Sequence, residues 1–239
     1  YKRQRVNSVY GTATLSYANK IFLDVTGRND WSSTLPSGNN SFFYPSVSTS
    51  FILSDLLRLP EQISFAKLRA SWAQVGNDTD PYKTAKYYNT SAFPGSASVS
   101  PTLYNARFKP EISNSIEVGL DWRMFKQRFG LDLAFYNNIT RNQILDVPMD
   151  QTTGYTKATM NSGKVRNRGI ELQLDGTPVK TKNFTWNSTF TWAKNYNKVL
   201  SLAAGLTDGQ TIAYTGGTNC ALIAKVGGSI GDIYGYKLK

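Results

Sequence analysis

The chemistry open to this chain is narrowed first by what it lacks. Histidine is absent, and Cys220 is the single cysteine in 239 residues. That leaves no Ser–His or Cys–His nucleophile pair, no histidine or cysteine metal site and no internal disulfide. Carboxylates remain, and Glu117 and Asp121 come closest to a paired acid and base. Four residues along a strand set them about 13 Å apart, beyond the roughly 5 to 9.5 Å used by glycosidase pairs. The glycine clusters "TGGTNC" and "KVGGSIGD" lack the lysine–hydroxyl ending and the strand-to-helix setting of a phosphate loop, so they read as turns or tight sheet bends. Cys220 reads as an ordinary small side chain. No catalytic residue, metal or cofactor is expected, and the chain is not expected to be an enzyme.

Binding chemistry is better supplied. Lys and Arg number 27 against 16 Asp and Glu, a formal charge of +11. The cations are spread along the chain and no nucleic-acid motif accompanies them, so nucleic acid is not an expected partner. Rings gather in the polar stretch from Gly76 to Pro110: Tyr82, Tyr87, Tyr88, Phe93 and Tyr104. Such rings stack on sugar faces or seat a partner at low entropic cost, and they equally pack a loop against itself.

The elements that position these groups follow from a period of two. In "SIEVGLDWRMFKQRFGLDLAFYNN", Ile116, Val118, Leu120 and Trp122 share one phase, and so do Phe129, Leu131, Leu133 and Phe135. Glu117, Asp121, Arg123 and Asp132 hold the other. This predicts a hairpin with one apolar and one polar face, reversing over Phe125 to Arg128. The same alternation predicts a hairpin over Val9 to Trp31 turning at Ala18 to Lys20, and strands from Phe43 to Ile52 and over "ISFAKLRASWAQV". It also predicts "RGIELQLDG" and "FTWNSTFTWAKN" as strands joined by a turn at Thr177 to Asn183, and a weak strand near Asp232 to Tyr236. The polar-phase charges Asp24, Arg28, Lys67, Arg69, Glu117, Asp121, Glu171 and Asp175 are expected to pair across strands and hold register.

Two observations bear on what the apolar face touches. Connections alternate in length, with long ones at Gly76 to Pro110, Thr140 to Lys164 and Tyr196 to about Thr218, which predicts extended loops at one end of the sheet and short turns at the other. Aromatic residues lie toward the strand ends, and Trp31, Tyr44, Trp122, Trp186 and Trp192 are the residues expected at membrane interfaces. No apolar run reaches the roughly 18 residues of a membrane helix. Lipid cannot satisfy an open sheet edge, so a membrane sheet has to close. The expected fold is therefore all-β: an antiparallel up-and-down transmembrane β-barrel, of which these strands form an arc. The rival is a soluble, secreted all-β glycan-binding module.

The motifs "SVYGTATLSYANKIFLDVTGRNDWSS", "FFYPSVSTSFILSD", "AKLRASWAQVGND", "FKPEISNSIEVGLDW", "AFYNNITRNQI" and "NSGKVRNRGIELQL" occur in this order. From about Ser8 to Tyr236 the chain resembles the carboxy-terminal half of the SusC/RagA class of TonB-dependent outer-membrane transporters of Bacteroidetes. That resemblance implies a barrel of about 22 strands, located in the bacterial outer membrane around an amino-terminal plug. It also implies a SusD-like surface lipoprotein as lid, a TonB complex as energy source and outer-membrane lipid around the wall. The implied cargo is an oligosaccharide or peptide. Residues 1–239 are expected to be part of one barrel domain, a piece of a longer chain, since no plug and no TonB-contacting segment can be read in them.

Overall fold

The computed structural model describes residues 3–90, 93, 95–202, 210–214 and 220–235. In chain order the first elements are β1 (Val6–Tyr17), β2 (Ile21–Ser32), β3 (Ser41–Ile52), α1 (Leu53–Leu56) and β4 (Ile63–Asn77). Next come β5 (Tyr88–Thr90), β6 (Ala97–Val99), β7 (Thr102–Leu103), β8 (Glu111–Met124), β9 (Phe129–Arg141) and β10 (Ile144–Pro148). A 3₁₀ turn (Gln151–Thr153) precedes β11 (Lys157–Asn161), β12 (Lys164–Lys180) and β13 (Thr185–Ser201), and then β14 (Gln210–Tyr214), β15 (Cys220–Ala224) and β16 (Asp232–Gly235).

Eight long strands form one antiparallel sheet in the order β1-β2-β3-β4-β8-β9-β12-β13. Its register puts the apolar phases of all eight strands in line. One row runs Tyr17, Ile21, Phe51, Leu68, Leu120, Leu133, Leu172 and Trp192. The polar row one residue away runs Lys67, Asp121, Asp132, Gln173 and Thr191. A slip by one residue anywhere would interchange the two faces, so the pattern itself specifies the register.

No second layer covers the apolar face. Leu15, Ile116, Phe190 and Trp186 are all more than half exposed, and none of the sheet's apolar rows enters a buried cluster. A sandwich would bury such a face against another sheet about 10 Å away, so the soluble alternative finds no support here. No described helix is long and apolar enough to cross a membrane, which says nothing about strands.

The buried residues lie elsewhere. Leu35, Phe42 and Phe108 form one cluster, joined by Tyr44 and Ile144, and Val165, Val199 and Ala224 form another, joined by Leu202 and Ile230. Both sit at the end of the sheet carrying connections 33–40, 78–110, 142–163 and the chain after Ser201. The opposite end carries the turns 18–20, 125–128 and 181–184 and the link 53–62 with α1. Ala18 and Asn19 take positive φ, the geometry of a tight hairpin reversal. Phe125, Lys126 and Gln127 also do so, at 55°, 57° and 64°. The first loop at the long end, 33–40, is no longer than 53–62 at the other, so the expected alternation is less regular than its sequence suggests.

The structure corrects several further boundaries. The long connection expected over 76–110 carries strands of its own: β4 continues to Asn77, β5 and β6 form a small hairpin, and β7 pairs in parallel with β11. β12 runs on to Lys180 through a register shift between Gly176 and Val179, so the reversal falls at 181–184 and excludes Phe184 from β13. β13 extends to Ser201, shortening the expected last loop, whose end near Thr218 lies outside the described residues. The weak final strand is present to Gly235, and Tyr236 lies outside them.

Candidate functional site

The polar face is built as a charge-compensated wall. Arg69 Nη1 and Nη2 donate to the two oxygens of Asp132 at 3.1 and 2.8 Å, and Glu117 lies 3.8 Å away. Arg123 binds Asp121 at 2.8 Å and approaches Asp175 at 3.8 Å. Asp121 and Asp132 stand directly opposite each other across the β8–β9 ladder, a repulsion that these two arginines neutralise from either side. Thr189 and Gln173 complete Asp175 at 2.8 and 2.9 Å. Arg28 pairs with Asp30 at 2.8 Å, and Thr14 donates to Asp24 at 2.7 Å.

Glycines let the long side chains lie flat on this wall. Gly119 faces Arg69, Gly130 faces Arg123 and Gly169 faces Tyr136 directly across their ladders. A Cβ on Gly119 would sit 2.4 Å from Arg69 Nε, and one on Gly169 would sit 2.5 Å from both the Tyr136 hydroxyl and the Lys194 carbonyl. Such separations are far inside van der Waals contact, so the close approach requires glycine there.

At the long-loop end, side chains and backbone knit the connections into a cap. Asp78 accepts hydrogen bonds from Ser32, Thr34 and Gln4 at 2.5, 3.0 and 2.8 Å. Asn161 brackets two loops: its Oδ1 accepts from Lys109 N at 2.9 Å, and its Nδ2 donates to the Lys109 and Asn142 carbonyls at 2.8 and 2.9 Å. Asn39 Nδ2 donates to the carbonyl of Phe108, whose ring is wholly buried. Asp146, on β10, accepts from Lys157 and Thr159 of β11 at 2.7 and 2.6 Å. Burial pushes the Asp146 carboxyl up, but those two donors outweigh it and hold the carboxyl below its ordinary pKa. Asp150 is held low by the backbone N–H and hydroxyl of Thr152.

The five loop rings divide into two pairs and a fifth ring between them. Tyr87 and Tyr104 stack with centroids 5.5 Å apart, and their hydroxyls meet at 3.0 Å, so this pair packs the loop against itself. Tyr88 and Phe93 are 73% and 78% exposed, so most of each residue's surface faces away from the loop. Tyr82 sits between these extremes, at φ 68°, and with Pro81, Ala85, Lys86 and Tyr87 it lines a depression of about 370 Å³. Lys86 Nζ lies 5.2 Å from the centre of the Tyr155 ring, linking this depression to the 142–163 loop.

The expected interface aromatics separate as well. Trp31, Trp122, Trp186 and Trp192 share the apolar phase. Tyr44 does not: its hydroxyl bonds to Asp30, its ring stacks on Phe42 and Arg28 lies 5.8 Å above it, all among the polar-phase residues of β2 and β3. Phe42, Phe43 and Tyr44 occupy consecutive positions, and the exposed member that keeps the phase of Val47 and Phe51 is Phe43. Trp192 stands opposite Leu172 midway along β13, away from the long loops. Trp122 packs opposite Leu131 and Ala66, with a buried indole nitrogen that has no acceptor among the described residues.

An eight-stranded antiparallel sheet with a bare apolar face, a compensated polar face and a folded loop cap at one end defines a segment of an outer-membrane β-barrel wall. The comparisons place it more narrowly. The family model "TonB dependent receptor-like, beta-barrel" matches residues 1–237, and the chain belongs to that family. Two similar curated proteins are TonB-dependent receptor P26 of Formosa agariphila and TonB-dependent receptor SusC of Bacteroides thetaiotaomicron. The first is 33% identical over 84% of this chain and 21% of its own length, the second 25% identical over 85% and 22%. The solved structure of the RagAB peptide transporter superposes at a TM-score of 0.83 and 22% identity, over 94% of this chain and 25% of that one. The chain is of the SusC/RagA class, lies in the bacterial outer membrane, and spans about a fifth to a quarter of the relatives it matches. Its relatives are receptors and transporters, not enzymes.

Proposed function

We propose that residues 1–239 form part of one transmembrane barrel domain of a TonB-dependent importer, which takes up oligosaccharides or peptides together with a SusD-like surface lipoprotein. The observation that carries this reading is the folded cap, held over one end of a wall whose outer face suits lipid, with Tyr82, Tyr88 and Phe93 presented on it. The likeness to the RagAB structures, a peptide transporter and importer, supports peptide as one class of cargo. A plug and a contact with TonB belong, in this reading, to other parts of the protein.

In this scheme cargo is captured at the cap beneath the lipoprotein, and a TonB-driven rearrangement of the plug opens a path along the polar wall. Because Arg69 and Arg123 are already neutralised by Asp132 and Asp121, the wall offers hydroxyls and amides to passing cargo more than net charge. Ser48 opposite Ser71 and Asn138 opposite Asn167 supply these groups, as does Asn195, all from polar-phase positions.

The test uses the full-length protein in its own cells. Deletion is expected to abolish growth on one class of oligosaccharide or peptide, and the purified protein is expected to bring a lipoprotein with it. Tyr88→Ala with Phe93→Ala should lower uptake or lipoprotein retention by roughly tenfold, the scale of losing one or two exposed aromatic anchors. Unchanged growth on every such substrate, with no lipoprotein recovered, would overturn the proposal.

A further inference from the structure

The apolar face changes character toward the cap. Through the row Phe135, Ile170 and Lys194, apolar side chains give way to cations. The next rows on that face are Asn137, Arg168, Tyr196 and then Ile139, Arg166, Lys198. Above them Arg141 stands opposite Lys164. Arg166 therefore faces Lys198, and Arg141 faces Lys164, directly across a ladder, an arrangement that repels when nothing lies between. No carboxylate occupies these positions of β9, β12 and β13. None of the six cations has an ion pair with a described residue.

The polar face makes the contrast, since Arg28, Arg69 and Arg123 each rest on an aspartate there. Repulsion left standing on one face while it is relieved on the other points to a counter-charge from outside the chain. Arg166, Arg168, Tyr196 and Lys198 line a depression of about 340 Å³ against the turn 227–232. The one acid there, Asp232, already accepts from Ser229 N at 3.0 Å. Lys194 lies 5.0 Å over the Tyr196 ring, beside the apolar rows, which is the arrangement of a side chain reaching from hydrocarbon to headgroup.

We propose that Arg166, Arg168, Lys194 and Lys198 form a binding site for the phosphorylated headgroup of an outer-leaflet glycolipid, with Tyr196 as its apolar floor. The occupant is a lipid because the cations occupy the lipid-facing phase, directly above the apolar band and at the long-loop end, which in outer-membrane barrels is the extracellular one. Guanidinium groups side by side suit phosphate oxygens, which take up bidentate donors. The site rests on the membrane placement of the barrel and is independent of what the barrel imports.

The experiment uses the full-length protein, purified from outer membranes and then reconstituted into zwitterionic nanodiscs with or without lipid A. Wild type is expected to retain lipid A through purification and to unfold at a higher temperature in discs containing it. Dephosphorylated lipid A should give no such shift. The variant Arg166→Ser, Arg168→Ser, Lys194→Ser, Lys198→Ser should retain roughly tenfold less lipid or lower still, as expected for removing several cations from an anionic surface. Should it fail to insert, Lys198→Glu, which creates an acid opposite Arg166, is expected to fold and to bind several-fold less. Arg166→Lys with Arg168→Lys should retain most of the lipid. Equal lipid retention by wild type and a folded charge variant would overturn the site, and an equal shift from inorganic phosphate alone would overturn a lipid as its occupant. Neither result bears on import, so failure here is distinguishable from failure of the transport reading.

Discussion

The strand wall and the loop cap are stabilised in opposite places. In the cap, side chains such as Phe108 and Val199 are wholly buried and surrounded by protein, as in a small water-soluble domain. In the wall, the largest apolar side chains point outward, and the inward face is hydroxyl, amide and compensated charge. The difference shows which solvent each part was built for. Burial from water holds the cap, whereas the wall relies on backbone ladders with hydrocarbon on one side and water on the other. One antiparallel sheet passes through both environments, and the change falls within single strands. β12 carries Leu172 and Leu174 in the apolar band and Val165 in the cap cluster.

The sharpest way to break this contrast is to empty the cap. Phe108→Ala in the full-length protein removes a ring with no exposed surface and should cost the cap about 3 to 5 kcal/mol. The expected readout is faster proteolysis and hydrogen exchange in 33–40 and 78–110, with the folding of the wall unchanged. Global unfolding of the barrel would show that cap and wall are one cooperative unit. Next in size is a charge on the bare face. Leu120→Arg should destabilise the barrel in lipid vesicles by roughly 2 to 4 kcal/mol if the residue lies at the bilayer midplane, read from denaturant unfolding. The same substitution in a soluble sandwich core would abolish folding, and at a lumen position it would change little.

How much of this was legible in the sequence follows from the same physics. The eight long strands and their two faces could be read because alternation over twelve or more residues has one interpretation. Tyr44 could not be placed, because three aromatics in succession carry no phase of their own and Pro45 interrupts the count. β5, β6, β7, β10 and β11 are each two to five residues long, too short for a period to register. Their pairing depends on distant partners: Thr102 lies beside Lys157 through a parallel bridge no local pattern announces. The Tyr87–Tyr104 stack is hidden for the same reason, so the division of the five loop rings into packed and exposed required the fold. The lipid-facing cations were readable in principle, since Arg166 and Arg168 continue the phase of Ile170, Leu172 and Leu174. Scanning for clusters in sequence misses them, because they assemble across three strands.

A smaller effect sharpens the comparison between the two faces of the wall. A double-mutant cycle on Arg69→Met and Asp132→Asn should give a coupling of a few tenths to about 1 kcal/mol, as expected of a partly exposed pair. Repeating the cycle with Glu117→Gln should raise the coupling to Asp132, because Arg69 then has one acid to serve. Zero coupling in both would mean that the ladder alone sets register on the polar face.

The smallest effect tests whether the cap behaves as a domain in water. The Asp146 carboxyl is held below its ordinary value of 3.8 by Lys157 and Thr159 against the opposing push of burial. A carboxyl depressed in the folded state stabilises that state at pH values above its unfolded pKa, and the stabilisation disappears as pH falls through the folded value. Hydrogen-exchange protection of β10 and β11 is therefore expected to hold from neutral pH to about the ordinary carboxylate pKa of roughly 4 and to fall below it. In Asp146→Asn, protection at neutral pH should be lower and this acid step should vanish. The ladders of the apolar band, which contain no such carboxyl on the lipid face, should not follow the same pH course. If they did, the acid step would belong to the whole barrel and the separation of cap from wall would fail.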